Sequence, residues 1–260
     1  MTIEKHPILF AGAGPGDPEL MTIKAMKAIE KADLVVYAGS LVPKAVLCWK
    51  GPHTETISSA GMDLDEMVRQ MRTAYDSGKR VVRLHTGDPS LYGAIFEQIR
   101  ELQKTEIPYK VIPGVTAAFA AAASIGMEYT LPEVTQTLIL TRMAGRTPVP
   151  EAEALENLAA HGASMAIYLS IGLVDKVQEI LSAHYGKDSG CAIAYKVSHP
   201  EENILYTTIE NLSATCREND ITRHALIIVG KAVEASTGDA ELIKSKLYDA
   251  GFSHGYRQGK

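Results

Sequence analysis

Two stretches of the chain combine small and acidic residues in places where an α/β protein meets its ligands. "ILFAGAGPGDPEL", Ile8 to Leu20, runs from an apolar segment into Gly12, Gly14 and Gly16. "LHTGDPSLYGA", Leu84 to Ala94, repeats the Gly-Asp-Pro of positions 16–18 as Gly87-Asp88-Pro89. Each follows a strand-like run and precedes a helical one, and ligands in open α/β sheets bind beyond the carboxyl ends of strands. The dinucleotide fingerprint G-x-G-x-x-G is not met, because the third glycine counted from Gly12 is replaced by Asp17, a carboxylate where pyrophosphate would approach. A Walker loop is excluded as well, since no Gly-Lys-Ser/Thr follows. The common Rossmann-type methyltransferase loop carries an acid two residues before its first glycine, and here that residue is Phe10.

Two acidic glycine loops point away from phosphate and towards a ligand with hydroxyls, an amine or a positive charge. S-adenosylmethionine has a ribose diol, an ammonium and a sulfonium, and fits that description. On this reading the opening glycines give a methyl donor backbone clearance. A bare strand-to-helix turn, with Asp88 serving as a helix N-cap, accounts for the same residues without a ligand.

Bulk properties narrow the classes further. The formal net charge of −5 supplies no basic field, so no nucleic-acid partner is expected. Cys48, Cys191 and Cys216 are odd in number and have no C-x-x-C spacing, which argues against a disulfide framework or a thiolate zinc site and for a cytoplasmic protein. The histidines show no metal-ligand spacing, so no metal is expected on the protein. "MTIEKHPILFAGAG" has too short an apolar stretch for a signal peptide. "VTAAFAAAASIG" is apolar over roughly ten residues, far short of a membrane span. Its small side chains suit a buried helix packed on a sheet, and no membrane partner is expected.

The elements that must position these loops follow from periodicity. Ile8–Ala11, Leu34–Tyr37, Arg80–Leu84 and Tyr109–Ile112 read as strands alternating with helices at about Met21–Lys31, at 64–75 behind an Asp63/Glu66 capping box, and on a Leu91/Ile95/Ile99/Leu102 stripe. Such alternation predicts a mostly parallel sheet in an N-terminal α/β domain, residues 1–113. "IPGVTA", Ile112 to Ala117, punctuates the chain. Beyond it, strands are expected at Thr137–Leu140, Met165–Leu169, Ala192–Tyr195, Ile204–Thr207 and Leu226–Val229. Two of these have no helix between them, which implies a mixed sheet in a second domain, residues 114–235. Residues 236–260 read as a tail with one weak helix on Leu242, Ile243 and Leu247, then a flexible end.

These loops, together with "PGVTA" and "YLSIG", resemble the tetrapyrrole methylase family of two-domain, S-adenosylmethionine-dependent methyltransferases. "LPEVTQTLILTRMAGRTPVPE", Leu131 to Glu151, and "YAGSLVP", Tyr37 to Pro43, resemble the group that methylates carbon 11 of precorrin-4 or cobalt-precorrin-4 in cobalamin (vitamin B12) biosynthesis. The resemblance implies two α/β domains with the cofactor in the trough between them. It implies cofactor contacts at Pro15, Thr86, Gly87, Asp88, Leu91, Thr116 and Ala117, with Leu169 and Ala225 beside the adenine. It leaves the contacts of Cys191 to His199 unassigned, and it implies a homodimer.

It also implies a substrate fringed with carboxylates. Arg142 and Arg146, four apart after a strand, are the candidate forks for these, with Lys44 as a further cation. Surface pairing of the arginines with Glu133 or Glu151 is the alternative. The reaction it implies is an in-line methyl transfer whose chief demand is placement. His85, Tyr92 and Tyr129 are the candidates for a general base, and none is singled out. Two competing readings remain: another member of the family, acting at a different ring position or on a protein histidine derivative, and a nucleotide-binding oxidoreductase.

Overall fold

The computed structural model describes residues 5–238 and 245–259. The chain divides into two compact units: one reaches Ala120 and includes Ser198–Pro200, and the other takes Ala121–Val197 and resumes at Glu201.

The first unit is built on a five-stranded, all-parallel sheet. Its strands are β1 (Ile8–Gly12), β2 (Leu34–Tyr37), β3 (Glu55–Ser58), β4 (Val81–His85) and β5 (Tyr109–Ile112), in spatial order β3-β2-β4-β1-β5. Strands β2 and β4 are buried along their whole length, as near-continuous apolar runs in a sheet covered on both faces should be. On one face Ile8, Phe10, Leu34, Val36 and Val81 pack with Met67, Met71 and Tyr75 of α2 (Leu64–Asp76) and Leu102 of α3 (Ile95–Gln103). On the other, Ala11, Val35, Val82 and Leu84 pack with Ala25 and Ile29 of α1 (Ile23–Glu30). Helix α2 starts as the sequence implies, with the Asp63 carboxylate accepting the Glu66 N–H at 2.8 Å.

Two local readings need correction. Strand β3 is absent from the sequence reading, because "ETIS" is a half-exposed edge with no apolar run. Leu91 belongs to no helical stripe. Helix α3 begins only at Ile95, because Tyr92 and Ala94 adopt left-handed backbone (φ 56° and 48°) that a helix cannot pass through.

The second unit carries β6 (Leu138–Arg142), β7 (Ser164–Tyr168), β8 (Gly190–Tyr195), β9 (Asn203–Thr208) and β10 (Ala225–Val229), in order β6-β7-β10-β8-β9. Only β6 and β7 run parallel; the other neighbours are antiparallel, so the sheet is mixed as expected. Met165, Ile167, Ile193, Ile227 and Val229 form its core with Val177 and Leu181 of α5 (Val174–Tyr185) and Leu212 and Cys216 of α6 (Leu212–Glu218). Helix α4 (Ala117–Ile125) has fully buried alanines at 118 and 121, in keeping with its small-residue composition. Of the residues assigned to a tail helix, Leu242 and Ile243 lie outside the described residues, and Leu247 sits in a short 3-10 turn.

The carboxyl ends of the adjacent strands β4, β1 and β5 meet at three glycines. A Cβ on Gly12 would lie 2.5 Å from the Gly87 carbonyl oxygen and 2.6 Å from the Gly114 Cα. A Cβ on Gly114 would collide with the same Gly87 oxygen. Beside this crossing Gly14 and Gly87 exchange two backbone bonds, Gly14 N–H to Gly87 O at 3.3 Å and Gly87 N–H to Gly14 O at 2.8 Å. Only glycine permits such an approach, and the neighbour on each side is backbone that cannot swing away. Gly114→Ala is therefore expected to lower unfolding stability by about 3 kcal/mol, the upper range for overpacking a rigid site. Gly172→Ala, with open space at its Cβ position, should change it by less than about 0.5 kcal/mol. Urea denaturation of the two variants checks the contrast.

Candidate functional site

In the first unit the loops leaving β1, β4 and β5 carry Pro15, then Thr86, Gly87 and Asp88 with Leu91 beyond, then Thr116 and Ala117. Pro15 and Thr116 are buried, and Thr86, Gly87, Asp88, Leu91 and Ala117 are half-buried. Asp88 ties the second and third loops together. Its Oδ1 accepts the Ser90 N–H at 2.8 Å and the Ser90 hydroxyl, and its Oδ2 accepts the Gly114 N–H at 2.8 Å. Burial alone would raise its pKa, but the donors from Ser90 and Gly114 together outweigh it and hold the carboxyl below its ordinary value. Asp88 is thus an anion at neutral pH. It does not cap α3, whose cap position is Ala94; it closes a turn at 88–90 and staples Gly114.

The glycines of the opening motif serve a different purpose from the one expected. Gly12 is approached by Gly87 and Gly114, Gly14 by the backbone of Leu20 (3.0 Å from an ideal Cβ), and Gly16 by the ring of His199. All three make room for the protein itself. Gly87 is the exception: at φ 58°, its Cβ position meets only Thr116 Cα at 3.7 Å and Val115 O at 3.8 Å. It is the position of this junction where a ligand finds backbone with space beside it.

His199 is a residue that the sequence reading left unassigned. Its ring covers Gly16, and the neighbouring Ser198 Oγ accepts the Asp17 N–H at 3.0 Å. Lys196 and Ser198 both take left-handed backbone, φ 44° and 61°, to bring this about. Partners 181 residues apart leave no local pattern.

The three candidates for a base fare poorly on physical grounds. His85 is 4 % exposed and stacks on Phe10 with ring centroids 6.0 Å apart. Burial, and then the charge of Arg83, push its pKa down to about 3, so it is a neutral imidazole and a weak base at neutral pH. Tyr129 is buried, and burial with the nearby Tyr168 raises its pKa, keeping the phenol protonated. Tyr92 projects from the strained turn before α3 and is half exposed.

In the second unit Arg142 ends β6 and braces the loop after it. Its guanidinium donates to the carbonyls of Pro148 at 2.7 Å, Thr147 at 3.2 Å and Met143 at 3.4 Å. Arg142 thereby shapes the 143–148 loop, and Arg146 is the exposed cation that the loop presents. Among the described residues neither arginine pairs with Glu133 or Glu151. Leu169 follows β7, 65 % exposed and at φ 53°. Left-handed backbone at a leucine costs about 1–2 kcal/mol. The fully buried Ser170 fixes the turn, donating its hydroxyl to Tyr168 O at 2.7 Å and accepting the Met143 N–H at 2.8 Å. Ala225 opens β10 opposite Tyr195. Lys44, in the first unit, is exposed at the start of a 3-10 turn. Among the described residues no three His, Cys, Asp or Glu side chains are grouped to hold a metal, and no helix is long and apolar enough to cross a membrane.

Residues 7–213 match the family model of the tetrapyrrole (corrin/porphyrin) methylases. The chain belongs to that family. It is 47 % identical over 252 residues to the cobalt-precorrin-4 C(11)-methyltransferase of Methanocaldococcus jannaschii, covering 96 % of each chain. It is 44 % identical over 254 residues to the precorrin-4 C(11)-methyltransferase of Pseudomonas aeruginosa, covering 97 % of this chain and 99 % of that one. Among solved structures it is similar to the X-ray structure of a cobalt precorrin-4 methyltransferase described as a cobalamin biosynthetic enzyme. The TM-score is 0.85 at 44 % identity, over 87 % of this chain and 95 % of that one. The family fold accounts for a parallel sheet in one unit and a mixed sheet in the other.

The buried histidine of this methylase makes its stability depend on pH. His85 binds a proton in the unfolded chain below its ordinary pKa of 6.5 but not in the native state until about 3. Its contribution is complete above 6.5 and is lost as pH falls towards 3, about 2 kcal/mol of it by pH 5. Denaturation midpoints from pH 8 to pH 5 should fall in the native protein and fall less in His85→Gln. Parallel curves would remove His85 as the source.

Proposed function

We propose that the chain is an S-adenosylmethionine-dependent C-methyltransferase that methylates carbon 11 of cobalt-precorrin-4 or precorrin-4, yielding the corresponding precorrin-5 in cobalamin biosynthesis. The observation that carries this reading is the near full-length likeness, at 44–47 % identity, to curated enzymes bearing those two names. It works in the cytoplasm, as a homodimer.

The first-unit loops suit the donor chemically. The anionic Asp88, the half-buried hydroxyl of Thr86 and the backbone beside the open Gly87 offer acceptors to an ammonium and a ribose diol. Pro15, Leu91, Thr116 and Ala117 complete that set, and Leu169 and Ala225 are the second unit's contributions. When bound, S-adenosylmethionine supplies an activated methyl group for one in-line displacement by an electron-rich ring carbon. The residues of the chain bind, orient and exclude water; no covalent intermediate on the protein is needed. The substrate carries acetate and propionate groups, whereas the protein is mildly acidic, so local cations must recruit it. Arg146 is free to fork onto a carboxylate, a charge-assisted bond contributing about 1.5–3 kcal/mol. Lys44 is a second such cation.

Turnover decides the reading. Purified protein with labelled S-adenosylmethionine is offered cobalt-precorrin-4 and precorrin-4 in parallel, and the product is followed by mass spectrometry. Gain of one methyl group at carbon 11 on either is the expected outcome, and the faster substrate fixes the metal state. Failure to methylate both, by protein that binds S-adenosylhomocysteine, overturns it.

Leu169 offers a sharper test of one contact. Leu169→Gly relieves the left-handed strain, so stability should hold or rise by up to about 1 kcal/mol. Affinity for S-adenosylhomocysteine, measured by calorimetry, should nevertheless fall at least about tenfold, the loss of one apolar contact. Unchanged affinity would take Leu169 out of the site.

A further inference from the structure

Arg83 lies in the middle of β4, 5 % exposed, with Phe10 and Val36 as its neighbours across the sheet. Burial pushes its pKa down only to about 10, so it remains a cation at neutral pH, and among the described residues no carboxylate pairs with it. Its Nε donates to Gln98 Oε1 at 3.1 Å and its Nη1 to Val36 O at 3.3 Å. Gln98 on α3 is 3 % exposed, and its amide is thereby oriented with the nitrogen facing away from Arg83. That nitrogen donates to the carbonyl of Ala94 at 3.0 Å.

Ala94 is the last residue of the Gly87–Ala94 loop and holds left-handed backbone, as do Gly87 and Tyr92. Gly93, between Tyr92 and Ala94, is pressed on Pro89, whose carbonyl oxygen a Cβ would strike. Two left-handed residues other than glycine within three, Tyr92 and Ala94, do not persist unless their surroundings over-determine them. The near end of the loop is held by the Asp88 bonds to Ser90 and Gly114. The far end is held by the chain of bonds from Arg83 through Gln98 to Ala94. For stability alone, an apolar pair would serve such a buried site as well or better than an unpaired cation.

We propose that Arg83 and Gln98 are positioning residues, which fix the backbone of the 88–94 loop and thereby the placement of Asp88 and Leu91. The link to ligand binding rests on the proposed function; the link to loop order does not.

The experiment uses the full chain in two forms. Arg83→Met/Gln98→Leu replaces the polar pair by apolar side chains and leaves no orphaned charge. Gln98→Glu keeps a partner for Arg83 but cannot donate to the Ala94 carbonyl when ionised, and so stands in if the double variant does not fold. Native-state hydrogen exchange over 88–94, the melting temperature and S-adenosylhomocysteine affinity are read for each. The expected result is a folded protein with a melting temperature near the native one, loop amides exchanging at least tenfold faster, and at least tenfold weaker binding. A folded variant with unchanged loop exchange overturns the proposal. Faster exchange with unchanged affinity supports the positioning role and overturns the cofactor reading of this loop.

Discussion

Three strands of the parallel sheet end at backbone crossings that only hydrogen can fit between. Gly12, Gly87 and Gly114 come from segments far apart in sequence, yet a side chain on Gly12 or Gly114 would enter the space of the others. The consequence is geometric. Loops that might each wander over the top of the sheet are held at a fixed mutual spacing, and Asp88 locks the second to the third through Gly114. Every proposed donor contact in the first unit stands on one of these three loops. The constraint explains why the loops are glycine-rich without requiring that a ligand touch each glycine, and leaves Gly87 as the one with room beside it.

Charge is distributed in the same spirit. A carboxylate on the loop after β4 is kept ionised by hydrogen-bond donors, the histidine that ends the strand is kept neutral by burial, and an arginine two residues earlier remains charged among carbonyl and amide oxygens. From β4 into the loop that follows it the order is cation, neutral ring, anion. In the proposed function the anion attracts the sulfonium or ammonium of the donor, whereas the exposed cation proposed for an acidic macrocycle is on the 143–148 loop of the other unit. A net-acidic protein can accept a polyanionic substrate on these terms, because short-range forked bonds act where the long-range field is weak.

Much of this was legible in the sequence, in a way that follows physical range. Strands β1, β2, β4 and β5 announce themselves through apolar runs, and the mixed second sheet through two strands without a helix between them. The edge strand Glu55–Ser58 gives no such signal, because an edge needs little apolar surface. Leu91 falls at helical spacing from Ile95, yet its turn is non-helical, since left-handed Tyr92 and Ala94 are set by tertiary bonds and not by local propensity. Arg142 and Arg146 look equivalent in one dimension; only the folded loop shows that one binds carbonyls while the other faces solvent. His199 over Gly16 was invisible for the plainest reason, a contact between remote segments. The site's loops could be found from their composition, but what fills the glycine spaces could not.

The same comparison bears on mechanism. An enzyme that relies on proton transfer places an ionisable group near neutrality within reach of substrate. Here the histidine that ends β4, His85, is held far below that range and the buried Tyr129 far above it, so neither is tuned for the task. What the chain invests in is conformation: left-handed residues at 87, 92, 94 and 169, with the Ala94 carbonyl held by the buried Gln98 and the turn after Leu169 by the buried Ser170. Strain kept at loop termini, against a sheet that does not yield, is the signature of a site whose work is alignment. A methyl group on a sulfonium is already activated, so holding it in line with a nucleophilic carbon is the larger part of the barrier left to the protein.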